Sequence, residues 1–231
     1  MAPSTLAQWF GAVGTILAVI VALFKDPLLA WRRKPRLVAT CTKHIPWTVR
    51  TIVIVQGPNP QGVGLLSWSG NCYWVRVKVE NIGRTRAEKV QVGAQRLAKL
   101  GADNNFVDVP TLLPLNLKWS NSPPSGASPI LDGISPKMSA FCDVVSLCDP
   151  ANPLQRLPAG ASSNTTIGQL QLEVDLLTDV HLLAPGTYRL SLRIAAANAE
   201  PIDKIFEFTH TGGWTQDDAV MRRDCLGVSL K

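Results

Sequence analysis

The hydrophobic pattern divides the chain into an apolar N-terminal run and a longer part in which apolar and polar residues alternate. Residues 6–24 carry no charged side chain, and the run ends at Lys25, Asp26 and Pro27. Nineteen helical residues at about 1.5 Å rise each extend roughly 28 Å, close to the thickness of a bilayer's hydrocarbon core. We therefore expect a transmembrane helix over residues 1–31, with a break at Pro27 and an interfacial end after it.

Beyond a short basic segment, the pattern has the period of a β-strand. Val75, Val77 and Val79 alternate with charged or polar neighbours, which predicts a half-buried strand over residues 72–81. The other predicted elements are strands at 37–42, 48–55, 113–119, 139–147, 169–176, 186–195, 204–210 and 226–230, a strand beginning at 87, mostly loops within 98–168, and one or two helical turns over 216–223. This spacing predicts an all-β fold, an antiparallel β-sandwich over residues 37–231.

Two short motifs add a family likeness to this prediction. Residues 77–83, VKVENIG, are followed by residues 87–92, AEKVQV, and residues 185–192 read PGTYRLSL. These segments resemble the V-x-V-x-N-x-G…A-x-x-V-x-V and P-G-x-Y-x-L-x-L patterns of immunoglobulin-like and CARDB-like bacterial domains. The whole layout also resembles bacterial single-span membrane proteins. The resemblance implies an immunoglobulin-like sandwich but no particular chemistry, because such folds carry many unrelated functions.

Positive charge is concentrated beside the apolar run. The formal net charge is +6, and residues 25–36 hold five basic side chains against one acid, which supplies +4 of that total. A nucleic-acid-binding domain carries its surplus charge on the folded surface, so we expect no nucleic-acid binding. We expect a juxtamembrane collar over residues 32–36 that contacts anionic lipid headgroups and retains the domain in the cytoplasm, with the N-terminus outside. The predicted headgroup contacts are Arg32, Arg33, Lys34 and Arg36.

Small residues recur on one face of the predicted helix. They follow one another at steps of three and four, a stripe that lets two helices approach closely in lipid and so predicts a homo-oligomer. Tryptophans flank the run as interfacial anchors. The predicted membrane-anchor residues are Trp9, Gly11, Gly14, Ala18, Ala22 and Trp31. Two alternatives are a plain anchor, because Gly and Ala are common in membrane helices, and a cleaved signal peptide, which lacks the expected positive segment here.

The five cysteines, at positions 41, 72, 142, 148 and 225, match no metal-ligand spacing. We expect reduced and mostly buried thiols, as in a cytosolic protein. Cys142 and Cys148 are the pair close enough in sequence to bond if the compartment were oxidising. Cys41 and His44 form a C-x-x-H pair without a second pair, so we predict no metal site.

Catalytic and cofactor signatures are missing from the sequence, which has no G-x-S-x-G elbow, no P-loop and no dinucleotide-binding glycine pattern. We therefore predict no catalytic residue, no cofactor and no enzyme. Exposed tryptophan beside arginine is typical of protein interaction hot spots. The predicted partner contacts are Trp74, Arg76, Lys78 and Trp214.

Three functional hypotheses follow from these observations. The first is a membrane-anchored, non-enzymatic β-sandwich module that faces the cytoplasm and binds a partner protein. The second is an oligomeric membrane effector, whose clustered helices perturb the bilayer when the domain binds a signal. The third, a hydrolase with an unrecognised site, ranks last because no motif supports it.

Overall fold

The computed structural model describes residues 3–32, 34–58, 62–120, 128–153, 155–158, 160–174 and 176–231. Helix α1 spans Pro3–Arg32. The predicted break at Pro27 is therefore wrong, because a proline inside a helix can bend the helix without ending it. Side chains 9–24, which the structure describes, are all exposed. In the part of the chain that the structure describes, no helix combines the length and the apolarity needed to cross a membrane.

The rest of the described chain forms two antiparallel sheets, as the sequence predicts. The strands are β1 Leu37–Thr40, β2 Thr48–Pro58, β3 Leu65–Asn81, β4 Ala87–Leu100, β5 Phe106–Asp108, β6 Leu115–Asn116, β7 Leu131–Ile134, β8 Ser139–Cys148, β9 Gly168–Leu170, β10 Leu182–Leu183, β11 Gly186–Ala196, β12 Ala199–His210 and β13 Leu226–Leu230. A short helix α2, Asp218–Val220, and a π-helical turn, Met221–Cys225, precede β13. The helical turns predicted near the C-terminus are thus confirmed.

Each sheet is organised around one long strand. In the first, the order is β1-β3-β8-β9-β10, with β2 also paired to β3; in the second, it is β13-β12-β11-β4-β5, with β6 and β7 also paired to β4. The inward faces of both sheets supply the core: Val75, Val77 and Val79 on β3 face a layer that includes Leu192 and Phe206. All these side chains are buried. The arrangement is compatible with a β-sandwich.

The strand predicted over 169–176 is wrong for the described residues beyond Leu170, and residue 175 lies outside them. Its alternation is real, since Leu170 and Leu172 are both buried. However, Leu172 forms only an isolated bridge with Leu117. The run 113–119 crosses between the sheets here, because Leu117 donates its N–H to Val92 on β4 at 2.8 Å while the Lys118 carbonyl accepts from Asp143 on β8 at 2.9 Å. Alternating burial therefore marks a crossover here rather than a long ladder.

Asn81 joins three segments at the end of the sandwich nearest α1. It is fully buried, and its Oδ1 accepts hydrogen bonds from the Arg36 N–H at 3.2 Å and the Gly83 N–H at 3.0 Å. Its Nδ2 donates to the carbonyls of Thr85 at 2.7 Å and Ile134 at 2.9 Å. The asparagine of the V-x-V-x-N-x-G motif thus satisfies four backbone groups with one side chain, a role that requires an amide with both a donor and an acceptor.

Gly83 completes that motif by making room for the chain that leaves α1. A Cβ at this position would lie 2.6 Å from the Pro35 Cα and 2.7 Å from the Lys34 carbonyl oxygen. Backbone atoms cannot yield as the end of a flexible side chain can, so the close approach requires glycine.

Cys72 and Cys148 form a disulfide between β3 and β8, with their Cα atoms 4.1 Å apart. The expectation of reduced thiols throughout is therefore wrong, and so is Cys142 as the partner of Cys148. Cys142 and Cys148 lie on the same strand, where six residues span roughly 20 Å, too far for a bond. Cys41 and Cys142 are buried free thiols, and Cys225 is half-buried and free.

Candidate interaction surface

Three of the predicted partner contacts share the outer face of the first sheet. Trp74, Arg76 and Lys78 alternate along β3 with the buried valines of the core. The Trp74 indole is half-buried, and its Nε1 donates to the Thr51 hydroxyl on β2 at 2.8 Å. Lys78 pairs with Glu80 at 2.7 Å. These side chains therefore already have partners within the domain.

Arg76 belongs to a polar cluster that ties β3 to β8 and to the crossing segment. Its Nε donates to Asp143 Oδ1 at 2.8 Å, and the Ser120 hydroxyl donates to the same oxygen at 2.5 Å. Burial raises the pKa of Asp143, while the hydrogen bond from Ser120 and the charge of Arg76 act in the opposite direction. Because the carboxylate accepts from both neighbours, the cluster ties β3 and β8 to the crossing segment.

Trp214, the fourth predicted contact, lies apart from the other three. Its ring packs edge-on against Tyr73, with centroids 5.5 Å apart, on the inward face of the first sheet. Tyr73 donates its hydroxyl to Asp218 Oδ1 at 2.5 Å, and Arg50 and Arg222 each approach the same carboxylate at 3.2 Å. Burial, followed by the hydrogen bond to Asp218, raises the pKa of Tyr73. The cluster holds the C-terminal segment against the sheet. The Tyr73 hydroxyl stays protonated.

An exposed apolar surface on the first sheet was not predicted from the sequence. Strand β8 pairs with β3 only from Cys72 onward, while the ladder between β2 and β3 continues from Thr48 opposite Val75 to Pro58 opposite Leu65. Residues 52–58 and 65–71 therefore form a two-stranded extension beyond the sandwich, which we call the arm. Residues 51–75 contain no charged side chain.

One face of the arm is covered by its own tryptophan and the other is bare. A Cβ at Gly70 would lie within 2.9 Å of the Trp68 indole, so the glycine lets the ring lie flat across the strand. On the opposite face, Ile52 is 73% exposed and Ile54 is 72% exposed. Leu65, at the far end, is 79% exposed. The signal in the sequence is the long uncharged stretch. The sequence predicts strands at 48–55 and 72–81 but not the extra length of β3 between them.

The membrane-anchor residues that the structure describes with side chains are all exposed along α1: Trp9, Gly11, Gly14, Ala18 and Ala22. A Cβ at Gly11 or Gly14 would meet no atom within 4 Å. Of the predicted headgroup contacts, Lys34 and Arg36 are exposed. Arg33 lies outside the described residues, as do the side chains of Trp31 and Arg32.

Metal-ligand and histidine chemistry finds little support in the described part of the chain. No group of three His, Cys, Asp or Glu side chains is placed there to hold a metal ion. Burial raises the pKa of Cys41 to about 12, so its thiol stays protonated, and His44 is exposed. His210 is buried with its Nε2 3.0 Å from the Leu183 carbonyl, and burial lowers its pKa. Cys41 and His210 thus have the properties of core residues.

Comparison with protein-family models, with curated proteins and with solved structures gives no match. The likeness to immunoglobulin-like and CARDB-like domains therefore remains an expectation that rests on the two motifs.

Proposed function

We propose that this chain is a membrane-anchored, non-enzymatic binding module, an immunoglobulin-like β-sandwich that engages a partner protein through the bare face of its arm. The observation that carries the proposal is the exposed pair Ile52 and Ile54 on an uncharged two-stranded extension. Large apolar side chains that share one exposed face mark an interaction site more often than scattered ones.

The free edge of the arm supports the same conclusion. Among the described residues, β2 pairs with β3 and with no other strand. Exposed edges of monomeric proteins are usually protected by a charge, a proline or a bulge, because an unprotected edge pairs with other chains. From Thr51 to Gly57 the strand has none of the charges or prolines that provide this protection. A partner that covers Ile52 and Ile54 would shield this edge too.

The apolar run and the exposure of α1 support attachment to a membrane. Residues 6–24 are uncharged, and apolar side chains are exposed on every side of the helix, with Trp9 at 72% and Phe10 at 75%. A helix that is apolar all round is normally buried in a protein core or in lipid. A bilayer provides the cover that the sandwich does not.

The charge distribution supports a cytoplasmic domain, since Lys and Arg beside a membrane helix are retained on the cytoplasmic side. The Cys72–Cys148 disulfide supports the opposite side, because such bonds persist in oxidising compartments. We propose the cytoplasmic orientation, because the basic collar acts while the helix inserts into the membrane. The redox state of an adjacent cysteine pair is set afterwards, by the compartment that the domain has reached. The state of this pair in cells decides between the two.

The arm is tested by site-specific photocrosslinking of the full chain in its native cells. Benzoylphenylalanine in place of Leu65, at the end of the arm, should yield a discrete adduct with a partner protein. Replacing Ile52 and Ile54 with asparagine should weaken that adduct about 30-fold, the effect of losing a hot spot of about 2 kcal/mol.

The matched control replaces Val107, which is 59% exposed, and Leu113, which is 70% exposed, with asparagine. Both side chains lie outside the first sheet and are as apolar as the arm residues. An adduct that survives Ile52→Asn with Ile54→Asn, or that fails equally in the control, would show that the arm is not the binding surface.

The second candidate function is an oligomeric membrane effector, and the stripe of small residues on α1 favours it. Replacing both Gly11 and Gly14 with leucine should reduce the amount of dimer trapped by a membrane-soluble crosslinker, because close helix contact requires small residues. Alanine at the same positions should leave the dimers in place. Loss of membrane potential on expression would support the effector. The Thr15 hydroxyl, however, donates to the Gly11 carbonyl at 2.8 Å and so contributes little polarity to a pore.

A further inference from the structure

Four exposed cations gather at the end of the sandwich where α1 joins it. Lys34 and Arg36 lie between α1 and β1, Arg84 follows β3, and Lys137 precedes β8. Among the described residues, none of the four forms an ion pair with a carboxylate, although other basic side chains nearby do. Lys78 pairs with Glu80, and Arg86 pairs with Asp132.

Asn81 is what brings these distant parts of the sequence together. Its side chain binds the Arg36 N–H, while its own carbonyl accepts from the Lys137 N–H at 2.7 Å. Ile82 donates its N–H to the Arg36 carbonyl at 2.8 Å. Arg84 comes directly after Gly83, whose backbone lies against the segment from Lys34 to Arg36. The hydrogen bonds hold the backbones that carry the cations in fixed positions.

Two apolar side chains are exposed within the same cluster. Ile82 is 46% exposed and Met138 is 61% exposed, and their backbones bond to Arg36 and Asn81 respectively. A surface in which exposed apolar residues alternate with basic ones is typical of contact with the boundary between headgroups and acyl chains. Unpaired cations alone would be equally compatible with contact to a protein.

A groove of about 660 Å³ opens beside the cluster, between β1 and the start of β12. Its lining includes Lys34, Arg36 and Lys204, together with one acid, Glu200. Three cations against one carboxylate leave the groove positive. Its volume exceeds that of a phosphate group.

We infer that this end of the domain is a docking surface for anionic phospholipid, and that Arg84 and Lys137 belong to it together with Lys34 and Arg36. The inference rests on the proposed membrane anchoring, because α1 would bring this end of the sandwich to the bilayer. The ligand chemistry is the lipid phosphate. Charge complementarity and continuity with α1 favour a bilayer over a soluble phosphate.

The experiment uses the full chain in liposomes, with dansylalanine in place of Met138 and brominated lipids as the quencher. Adding phosphatidylglycerol to phosphatidylcholine should increase quenching, because the probe then lies at the bilayer surface more often. Arg84→Gln with Lys137→Gln should reduce the population in contact about fivefold for each cation removed. Lys99→Gln with Lys43→Gln is the control, because neither cation belongs to the cluster or lines the groove, and it should quench as the unsubstituted chain does.

The outcomes separate this inference from the anchoring itself. The docking surface would be overturned by quenching that is the same with and without phosphatidylglycerol, or that is equal in the two double variants. In that case, flotation of the protein with both liposomes would still support the anchor. Failure to float with either liposome would overturn the anchor. A change in dansyl emission produced by inorganic pyrophosphate in detergent would replace the lipid with a soluble anion.

Discussion

Replacing Asn81 with alanine should lower the free energy of unfolding by about 3–5 kcal/mol, because two N–H groups and two carbonyls lose a buried partner at once. The groups involved are the N–H of Arg36 and Gly83 and the carbonyls of Thr85 and Ile134. The measurement is urea unfolding of the full chain in detergent, followed by tryptophan fluorescence. We also expect Asn81→Asp to be destabilising, since a carboxylate cannot donate to the two carbonyls.

Asn198 provides the matched control. It too bridges two backbone groups, accepting from the Glu88 N–H and donating to the Arg86 carbonyl, each at 3.0 Å, but in an exposed position. Water can replace those bonds, so Asn198→Ala should cost no more than about 1 kcal/mol. Equal losses for the two variants would contradict the role given to Asn81. Asn81→Ala should also remove one of the two hydrogen bonds that hold the Arg36 backbone at the proposed lipid surface, whereas the Lys137 N–H keeps its bond to the backbone carbonyl of residue 81.

The sequence predicts those features that depend on neighbouring residues. The alternation around Val77 and the turn at Asn81 and Gly83 predict the central strand, and Ser139–Cys148 lies where an apolar run predicts it. Each of these signals acts within about ten residues, where periodicity and turn chemistry are informative. The all-β class follows from their number and spacing.

The features that escape prediction depend on register between distant strands. The arm exists because β3 extends seven residues past the point where β8 stops, and no local pattern marks where a partner strand ends. Arg84 and Lys137 lie beside Arg36 only because of the hydrogen bonds around Asn81. The predicted contacts Trp74 and Arg76 have suitable composition for an interface, but the sequence cannot show that each already has a partner in the domain.

Reduction of the Cys72–Cys148 disulfide should lower the free energy of unfolding by about 4 kcal/mol. The bond closes a loop across a sequence separation of 76 residues, and in the chain-entropy model such a loop restricts the unfolded state by about that amount. The pair is also the last one that β3 and β8 share before the arm begins. The measurement compares urea unfolding with and without dithiothreitol. A midpoint that does not respond to the reductant would contradict the prediction.

Two variants separate the disulfide from the other thiols. Cys72→Ala with Cys148→Ala should no longer respond to the reductant, whereas Cys225→Ser, which removes a free half-buried thiol, should respond as the unsubstituted chain does. In cells, maleimide added during denaturing lysis counts the thiols. Labelling of all five cysteines would support the cytoplasmic orientation, because cytosolic thiols are kept reduced. Labelling of only Cys41, Cys142 and Cys225 would place the domain in an oxidising compartment and reverse the proposed orientation.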